Sequence, residues 1–221
     1  MSRSIILFFA CLLAFHVSSS MGQSLRVTVT DADGEPIADA VVEVLLPASL
    51  GASFAAPADV VIDQLDKEFV PTVSMIVTGS SISFPNSDDI LHHVYSFSSL
   101  NTFNIPLYGS SENNDYVEQF TQAGVVEIGC NIHDWMLAYI YIADSSKVAK
   151  TNLQGAATIE GLPAGDYEIQ IWHSRLAADD NRLSRQISIA ADGLTEASVS
   201  LVLRRDRRLR RAPTANRKRY R

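Results

Sequence analysis

The sequence predicts an all-β protein built from β-sandwiches. Short runs of alternating or β-branched residues recur along the chain, and turn-forming clusters such as DADGEP, PNSDD and LPAGD separate them. No long segment keeps the apolar period of 3.6 residues that an amphipathic helix requires. Short strands with regular turns are typical of β-sandwiches. The predicted strands are Leu25–Thr30, Ala40–Leu46, Val73–Thr78, Ser81–Phe84, His93–Phe97, Val125–Cys130, Leu137–Ala143, Ala156–Ile159, Tyr167–Trp172, Arg185–Ala190 and Glu196–Leu203.

The charges of the chain are distributed unevenly. The 221 residues include 18 Lys/Arg and 25 Asp/Glu, which gives a net charge of −7. The segment 204–221 holds ten Lys/Arg and one Asp, so the rest of the chain carries eight Lys/Arg against 24 Asp/Glu. We therefore predict an acidic folded body and a basic tail, and the tail has too few apolar residues to offset the entropy of ordering it. Hydrophobic residues make up 47% of the sequence, enough for one large core or two small ones.

The N-terminus has the pattern of a secretory signal peptide. Arg3 precedes an apolar run from Ile5 to Val17, and small residues follow it. We predict cleavage after Gly22, so that residues 1–22 are removed and the mature protein is exported to the periplasm. An uncleaved anchor is the alternative, although the apolar run is short for a membrane span.

Cleavage would leave a single cysteine. Cys11 lies in the signal segment and Cys130 in the mature chain, so no internal disulfide can form. In an oxidising compartment, a lone thiol is stable only when it is buried, paired with another chain or held by a metal.

The segment GCNIHDWMLAYIYIAD places three possible metal ligands on one turn. Cys130, His133 and Met136 are spaced three residues apart, between two predicted strands. A thiolate and a thioether are soft donors that favour Cu(I), and imidazole also serves Cu(II). Two histidines, one cysteine and a weak axial methionine form the ligand set of an electron-transfer copper site. The second histidine must come from another strand, and His92 or His93 can supply it.

Other interpretations explain each of these residues singly. A cysteine in an apolar strand is usually a small buried hydrophobe, and a methionine there is usually packing. Zinc accepts cysteine and histidine, but methionine is a poor zinc ligand. A nucleophilic thiolate needs a base and an open face, which Met136 would obstruct. We find no haem motif or nucleotide loop, so the sequence does not predict an enzyme. His173 has no soft donor near it and is predicted to lie on the surface.

The segment from Asp59 to Asp144 resembles the cupredoxin superfamily of plastocyanin and amicyanin. In that family an early N-x5-H-N-V motif supplies one ligand, and here Asn86 precedes His92 by six residues. The Cys-x2-His-x2-Met loop has the short amicyanin spacing. The segment resembles periplasmic methylamine-utilisation-like proteins more closely still, through the motifs FPNSD, HHVYSFS, PLYG and GCNIHDWM.

This resemblance implies a Greek-key β-sandwich with one mononuclear copper. Its ligands would be His92, Cys130, His133 and Met136. His93 stands where the family has an asparagine that ties the two ligand loops together. It is expected either to donate a similar hydrogen bond or to act as a ligand itself. Because a one-residue shift moves a strand side chain to the other face, only one of the two adjacent histidines should point at the metal.

The flanking segments resemble a carboxypeptidase regulatory-like β-sandwich. LRVTVTDADGEPIADAVVEVLLP is similar to its first hairpin, and KTNLQGAATIEGLPAGDYEIQIWH to its continuation. The resemblance implies a sandwich split into 24–46 and 146–203, with the cupredoxin-like domain of 47–145 inserted in one loop. Insertion at an exposed loop is well tolerated. One continuous, decorated sandwich is the alternative.

We expect a periplasmic carrier of single electrons rather than an enzyme. The alternatives are a copper delivery or storage protein without a redox partner, and an adhesion or scaffold module with a structural metal. The expected partner is a c-type cytochrome or a periplasmic dehydrogenase, docking near Ile132, Trp135 and residues 105–107. The basic tail is expected to contact an anionic membrane surface or an acidic partner. Nucleic acid is not expected, since exported proteins rarely meet it.

Overall fold

The computed structural model describes residues 23–47, 56–111 and 116–206. These residues form strands, turns and one short 3-10 helix at Asp179–Asn181, so the all-β prediction is confirmed. The predicted signal peptide and nearly all of the basic tail lie outside the described residues, and both stay predictions. No helix within the described ranges is long and apolar enough to cross a membrane.

Seventeen strands make up the described fold. They are β1 Gln23–Asp31, β2 Val41–Leu45, β3 Asp59–Val61, β4 Asp63–Leu65, β5 Glu68–Val70, β6 Val73–Val77, β7 Ser81–Ser83, β8 His92–Ser96, β9 Phe103–Tyr108, β10 Val117–Gln119, β11 Gly124–Cys130, β12 His133–Ala143, β13 Val148–Lys150, β14 Ala156–Leu162, β15 Gly165–Trp172, β16 Arg182–Ile189 and β17 Leu194–Leu201.

The first and last parts of the chain form two sheets around one core. One sheet has the order β14-β1-β17, and the other has the order β13-β2-β15-β16. Leu25, Val27 and Val29 alternate along β1 and are fully buried, as expected for a strand with one face on a core. They belong to a core cluster drawn entirely from the described residues 25–44 and 157–201.

The central part of the chain forms a five-stranded sheet, a three-stranded sheet and a two-stranded hairpin. The five-stranded sheet has the order β6-β12-β11-β8-β9, with β12 antiparallel to β11 and parallel to β6. The three-stranded sheet has the order β10-β7-β3, and the hairpin pairs β4 with β5. A second core cluster, drawn from residues 62–142, includes Phe84, Phe120, Ile128 and Ile140.

A smaller contact joins the two groups of sheets. The ring of Trp172 in β15 lies 5.7 Å from each of the rings of Tyr139 and Tyr141 in β12. The Tyr141 hydroxyl donates a 2.7 Å hydrogen bond to Oε2 of Glu43, which lies in β2. The chain order of the two larger cores is the one that an inserted domain would produce. The domain boundaries at 46/47 and 145/146 themselves stay predictions.

Six strands were not predicted from the sequence. Five of them, β3, β4, β5, β10 and β13, have only three residues each, which is too short for an alternating pattern to be recognised. The sixth, β9, contains Pro106, which lacks a backbone N–H and normally argues against a central strand. It is tolerated here because β9 lies at the edge of its sheet.

The prediction that His173 lies on the surface is wrong. The residue is only 6% exposed. Its backbone N–H donates to the carbonyl of Asn181 at 3.2 Å, and its Nδ1 accepts from the N–H of Arg175 at 3.3 Å. His173 therefore stabilises the bend after β15, where its ring nitrogen accepts a hydrogen bond from a backbone N–H.

Candidate metal centre

Adjacent strands bring the cysteine and the two histidines to one end of the five-stranded sheet. Cys130 ends β11 and His133 begins β12, and the two are paired across a tight turn. The pairing shifts register between Gly129 and Cys130, which allows the thiol and the imidazole to face the same place. His92 begins β8, the strand on the other side of β11.

The donor atoms of these three residues form one compact group. The Sγ of Cys130 lies 4.0 Å from Nδ1 of His92 and 3.7 Å from Nδ1 of His133. One donor atom from each residue lies within 4.8 Å of the other two, about twice a metal–ligand bond of roughly 2.0–2.3 Å. His92 is fully buried, Cys130 is 3% exposed, and His133 is partly exposed. The three residues can therefore hold a single metal ion that is shielded on most sides.

Met136 lies in β12, three residues beyond His133. It is 2% exposed and belongs to the same core cluster as Cys130. It shares the buried face of β12 with Ala138 and Ile140, as the two-residue period of a strand requires. Its thioether is thus protected from water on the side of the sheet that carries the core. Its role as the fourth ligand stays a prediction.

The surroundings of Cys130 and His133 favour the protonation states that a metal needs. Burial raises the pKa of the Cys130 thiol, but the contact with His92 and hydrogen bonds from the backbone N–H groups of His93 and Ile132 outweigh it, so the net pKa lies below its usual value. Burial and the charges of His92 and Lys67 lower the pKa of His133. A thiolate and a neutral imidazole are the forms that bind metals.

The neighbours of His92 shift the pKa of its ring. Burial lowers its pKa, but the contacts with Cys130 and Asp88 outweigh burial, and the net pKa is raised. The Nε2 of His92 lies 2.6 Å from a carboxylate oxygen of Asp88. The other ring nitrogen, Nδ1, faces Cys130. This arrangement leaves Nδ1 as the nitrogen available to a metal.

His93 does not join the group of donor atoms. Its ring packs on the ring of Tyr95 at 5.4 Å, and Tyr95 packs in turn on the exposed Phe97. The Nδ1 of His93 is buried and has no hydrogen-bond partner. Its backbone N–H, rather than its ring, contacts the Cys130 sulfur. The His93 ring thus lies apart from the three donors, and its Nδ1 makes no hydrogen bond. The expected hydrogen bond through a ring nitrogen of His93 stays a prediction.

Asn86 holds the loop that leads to His92. Its side-chain amide donates to the carbonyls of Ile90 at 2.9 Å and Tyr108 at 2.8 Å. Its Oδ1 accepts from the N–H of Asp88 at 3.0 Å. A buried amide with three partners fixes an irregular loop because each lost bond would leave a buried polar group unsatisfied. Asn86 thus positions both Asp88 and His92.

Sequence reasoning missed Asp88 as a residue of this site. It lies four positions before His92 in NSDDILH, a spacing that carries no signal in an irregular loop. Metal-binding histidines generally donate their second ring N–H to a carboxylate or a carbonyl. A search of the sequence for a carboxylate close to a proposed ligand would have found Asp88, but also its exposed neighbour Asp89.

Comparisons with known proteins give partial similarities. No protein-family model matches the sequence, and no curated protein matches it. A purple cupredoxin from Nitrosopumilus maritimus is 18% identical, over 38% of this chain and 100% of that one, with a TM-score of 0.35. A copper-containing nitrite reductase from Thermus scotoductus SA-01 is 23% identical, over 45% of this chain and 27% of that one, with a TM-score of 0.36. An amicyanin from Paracoccus versutus is 17% identical, over 46% of this chain and 97% of that one, with a TM-score of 0.34.

These similarities cover less than half of this chain, and their TM-scores lie below 0.5. The functional proposal therefore rests on the arrangement of Cys130, His92 and His133 and not on these similarities.

Proposed function

We propose that this protein binds one copper ion and carries single electrons without acting as an enzyme. The observation that carries the proposal is the buried Cys130 thiol with Nδ1 atoms of His92 and His133 at 4.0 and 3.7 Å. Together with the Met136 thioether, these residues would supply the donor set of a blue-copper site. Bound copper would supply one-electron oxidation and reduction at this position.

The chemistry of the donors favours copper over zinc. A thiolate and a thioether are soft, and Met136 would add little to a zinc site. The four residues are held by β8, β11 and β12, so their positions depend on hydrogen-bonded strands rather than on a free loop. Rigid donors oppose rearrangement between oxidation states. This rigidity suits an electron carrier better than a site that must release its metal.

The partial exposure of His133 suggests where electrons would leave. Ile132, next to it in the turn, is 48% exposed, and Leu107 in β9 is 45% exposed. Of the expected docking residues 105–107, Ile105 is buried in the core, so only Pro106 and Leu107 can reach a partner. Small apolar patches suit brief, weak encounters. We propose a c-type cytochrome or a periplasmic dehydrogenase as the partner, steered at low salt by the acidic body.

The remaining parts of the chain receive supporting roles in this proposal. The two flanking sheets would act as a scaffold or docking surface, since we find no cluster of metal-binding side chains among their described residues. The basic tail at 204–221 would contact anionic lipid headgroups or an acidic partner. We place the mature protein in the periplasm on the strength of the signal-like segment 1–22.

The absorption spectrum of the copper-loaded protein without residues 1–22 tests the proposal. We expect one copper per chain and an intense visible band from the Cys130 thiolate. A protein that binds only Cu(I) and stays colourless after oxidation would instead favour copper delivery or storage. A protein that binds zinc but no copper would contradict both.

A further inference from the structure

A two-residue turn contacts both the segment that carries His92 and the segment that runs from Cys130 to Met136. Asp66 and Lys67 join β4 to β5, with φ angles of 54° and 60°. Positive φ at both central residues defines a type I′ turn, which matches the twist of a hairpin. Neither residue is glycine, so this backbone conformation is unfavourable for each of them unless other contacts hold it.

The N–H groups of this turn bind the carboxylate that holds His92. Asp66 N–H donates to Oδ1 of Asp88 at 2.7 Å, and Lys67 N–H donates to Oδ2 at 2.9 Å. The same Oδ2 lies 2.6 Å from Nε2 of His92. The His92 side chain is fully buried and that of Asp88 is 11% exposed, so the contact between them is largely protected from water, whereas the turn itself lies at the surface.

The carbonyl of the same turn binds the other ligand segment. The indole Nε1–H of Trp135 donates to the carbonyl of Lys67 at 3.1 Å. The Trp135 ring lies 5.3 Å from the ring of His133, and Trp135 directly precedes Met136. The backbone of Lys67 therefore contacts both ligand segments: its N–H donates to Asp88, and its carbonyl accepts from Trp135.

We propose that the Asp66–Lys67 turn is a clamp that ties the His92 segment to the Cys130–Met136 loop and fixes the His92 ring. Asp88 keeps the proton of His92 on Nε2, so that the lone pair of Nδ1 faces Cys130 and the metal. Trp135 attaches the Cys130–Met136 segment to the same turn through its hydrogen bond to the carbonyl of Lys67. This inference rests on the proposed copper function.

His93 does not connect the two ligand segments through its Nδ1. The buried Nδ1 of His93 has no partner, so this side chain does not tie the two segments through that atom. The turn supplies a connection from outside both ligand segments, across 22 residues to Asp88 and 68 residues to Trp135. Asp88 and Trp135 are accordingly positioning residues.

The first test uses the metal-free protein. Nitrogen NMR of the His92 ring, at a pH where the ring is neutral, should show the proton on Nε2 in the wild type. Asp88→Ala should lose this preference and the slow hydrogen exchange of the Asp66 and Lys67 amides. Asp89→Ala removes the same charge from the exposed neighbouring residue and should change neither signal. An unchanged tautomer in Asp88→Ala would overturn the proposal.

The second test measures copper affinity by competition with a chelator. Asp88→Ala should weaken binding about 10–100-fold, as is typical for the partner of a metal-binding histidine. Trp135→Phe, which keeps a ring beside His133 but removes the N–H donor, should weaken it less. Because both bonds act through one turn, the double variant should lose less than the product of the two single losses. Losses that simply multiply would contradict a shared clamp.

The two tests separate failure of the clamp from failure of the proposed function. If the wild type binds no copper, the proposed function fails, while the tautomer measurement still judges the clamp. If Asp88→Ala does not fold, Asp88→Asn replaces it. The asparagine keeps the size of the side chain but has one acceptor oxygen, so either the turn amides or His92 must lose a bond. Retention of every signal in Asp88→Asn would also count against the clamp.

Discussion

His92 and His93 are neighbours in β8, yet their side chains lie on opposite faces of the five-stranded sheet. His92 faces Cys130 and His133, whereas His93 packs on Tyr95. The cause is the two-residue period of a strand, which sends successive side chains to opposite sides. Only one of the two can therefore contribute its ring to the metal centre.

We expect His93→Asn to keep one copper per chain and the visible band. The substitution removes the contact with Tyr95, so a stability loss of about 1 kcal/mol is expected. His92→Asn is the matched change on the other face and should abolish the band. Copper analysis and the absorption spectrum measure both. If His93→Asn lost its copper and His92→Asn kept it, His93 and not His92 would be the ligand.

We expect Cys130→Ser to abolish the coloured centre, because a serine hydroxyl cannot supply the thiolate that gives the band. The volume change is small, so the thermal unfolding midpoint of the metal-free variant should stay close to that of the wild type. The spectrum of the copper-loaded variant checks this. A Cys130→Ser protein that retained the full band would rule out Cys130 as a ligand.

We expect Met136→Leu to keep the band and mainly to shift the reduction potential, because an axial methionine bond is weak. Leucine has a similar volume, so the core should tolerate it at less than about 1.5 kcal/mol. Met75→Leu, in β6 beside the Trp172 contact, is the matched control and should leave the potential unchanged. Electrochemistry measures both. Equal potentials in all three proteins would remove Met136 from the ligand set.

We expect the pH dependence of stability to change in Glu43→Gln. Burial raises the pKa of Glu43 above its ordinary value of 4.5, although Tyr141, the N–H of Asp144 and Arg182 partly oppose it. Below that ordinary value the carboxyl is protonated in both states. As pH rises from there through the folded pKa, the unfolded state ionises more readily, so the wild type loses stability relative to the variant.

Urea unfolding of the wild type and Glu43→Gln between pH 4 and 8 measures this difference. It should grow above pH 4.5 and then level off once Glu43 is ionised in the folded state as well. Glu160→Gln changes an exposed position of β14, and its free energy of unfolding should depend on pH in the same way as that of the wild type. A difference between the wild type and Glu43→Gln that stays constant across the range would contradict the assignment.

We expect Gly155→Ala to be more destabilising than Gly34→Ala. Both glycines have positive φ, of 70° and 87°, so each substitution costs about 1 kcal/mol in backbone strain. A Cβ at position 155 would also lie 2.4 Å from the carbonyl oxygen of Val29, whereas a Cβ at position 34 would meet nothing within 4 Å. Gly155→Ala should therefore lose about 3 kcal/mol in total, as overpacking adds to strain. Chemical denaturation compares them, and equal losses would show that the close contact relaxes.

Much of the candidate metal centre could be predicted because its chemistry is local in sequence. Cys130 and His133 are joined by one tight turn, so their spacing alone brings a thiol and an imidazole together. The alternation of β1 likewise predicted which of its residues would be buried, since a strand needs only its own sequence to define two faces.

Features that depend on distant parts of the chain could be recognised only in the folded protein. The choice between His92 and His93 required the register of β8 beside β11. The contacts of Asp88 and Trp135 with the Asp66–Lys67 turn required the β4–β5 hairpin, which is too short to be recognised from its sequence. The kinds of donor and their local spacing follow from the amino-acid sequence alone, because neighbouring residues are joined by the chain. Packing across distant strands decided which donors meet and what holds them, because those contacts exist only once the sheets have formed.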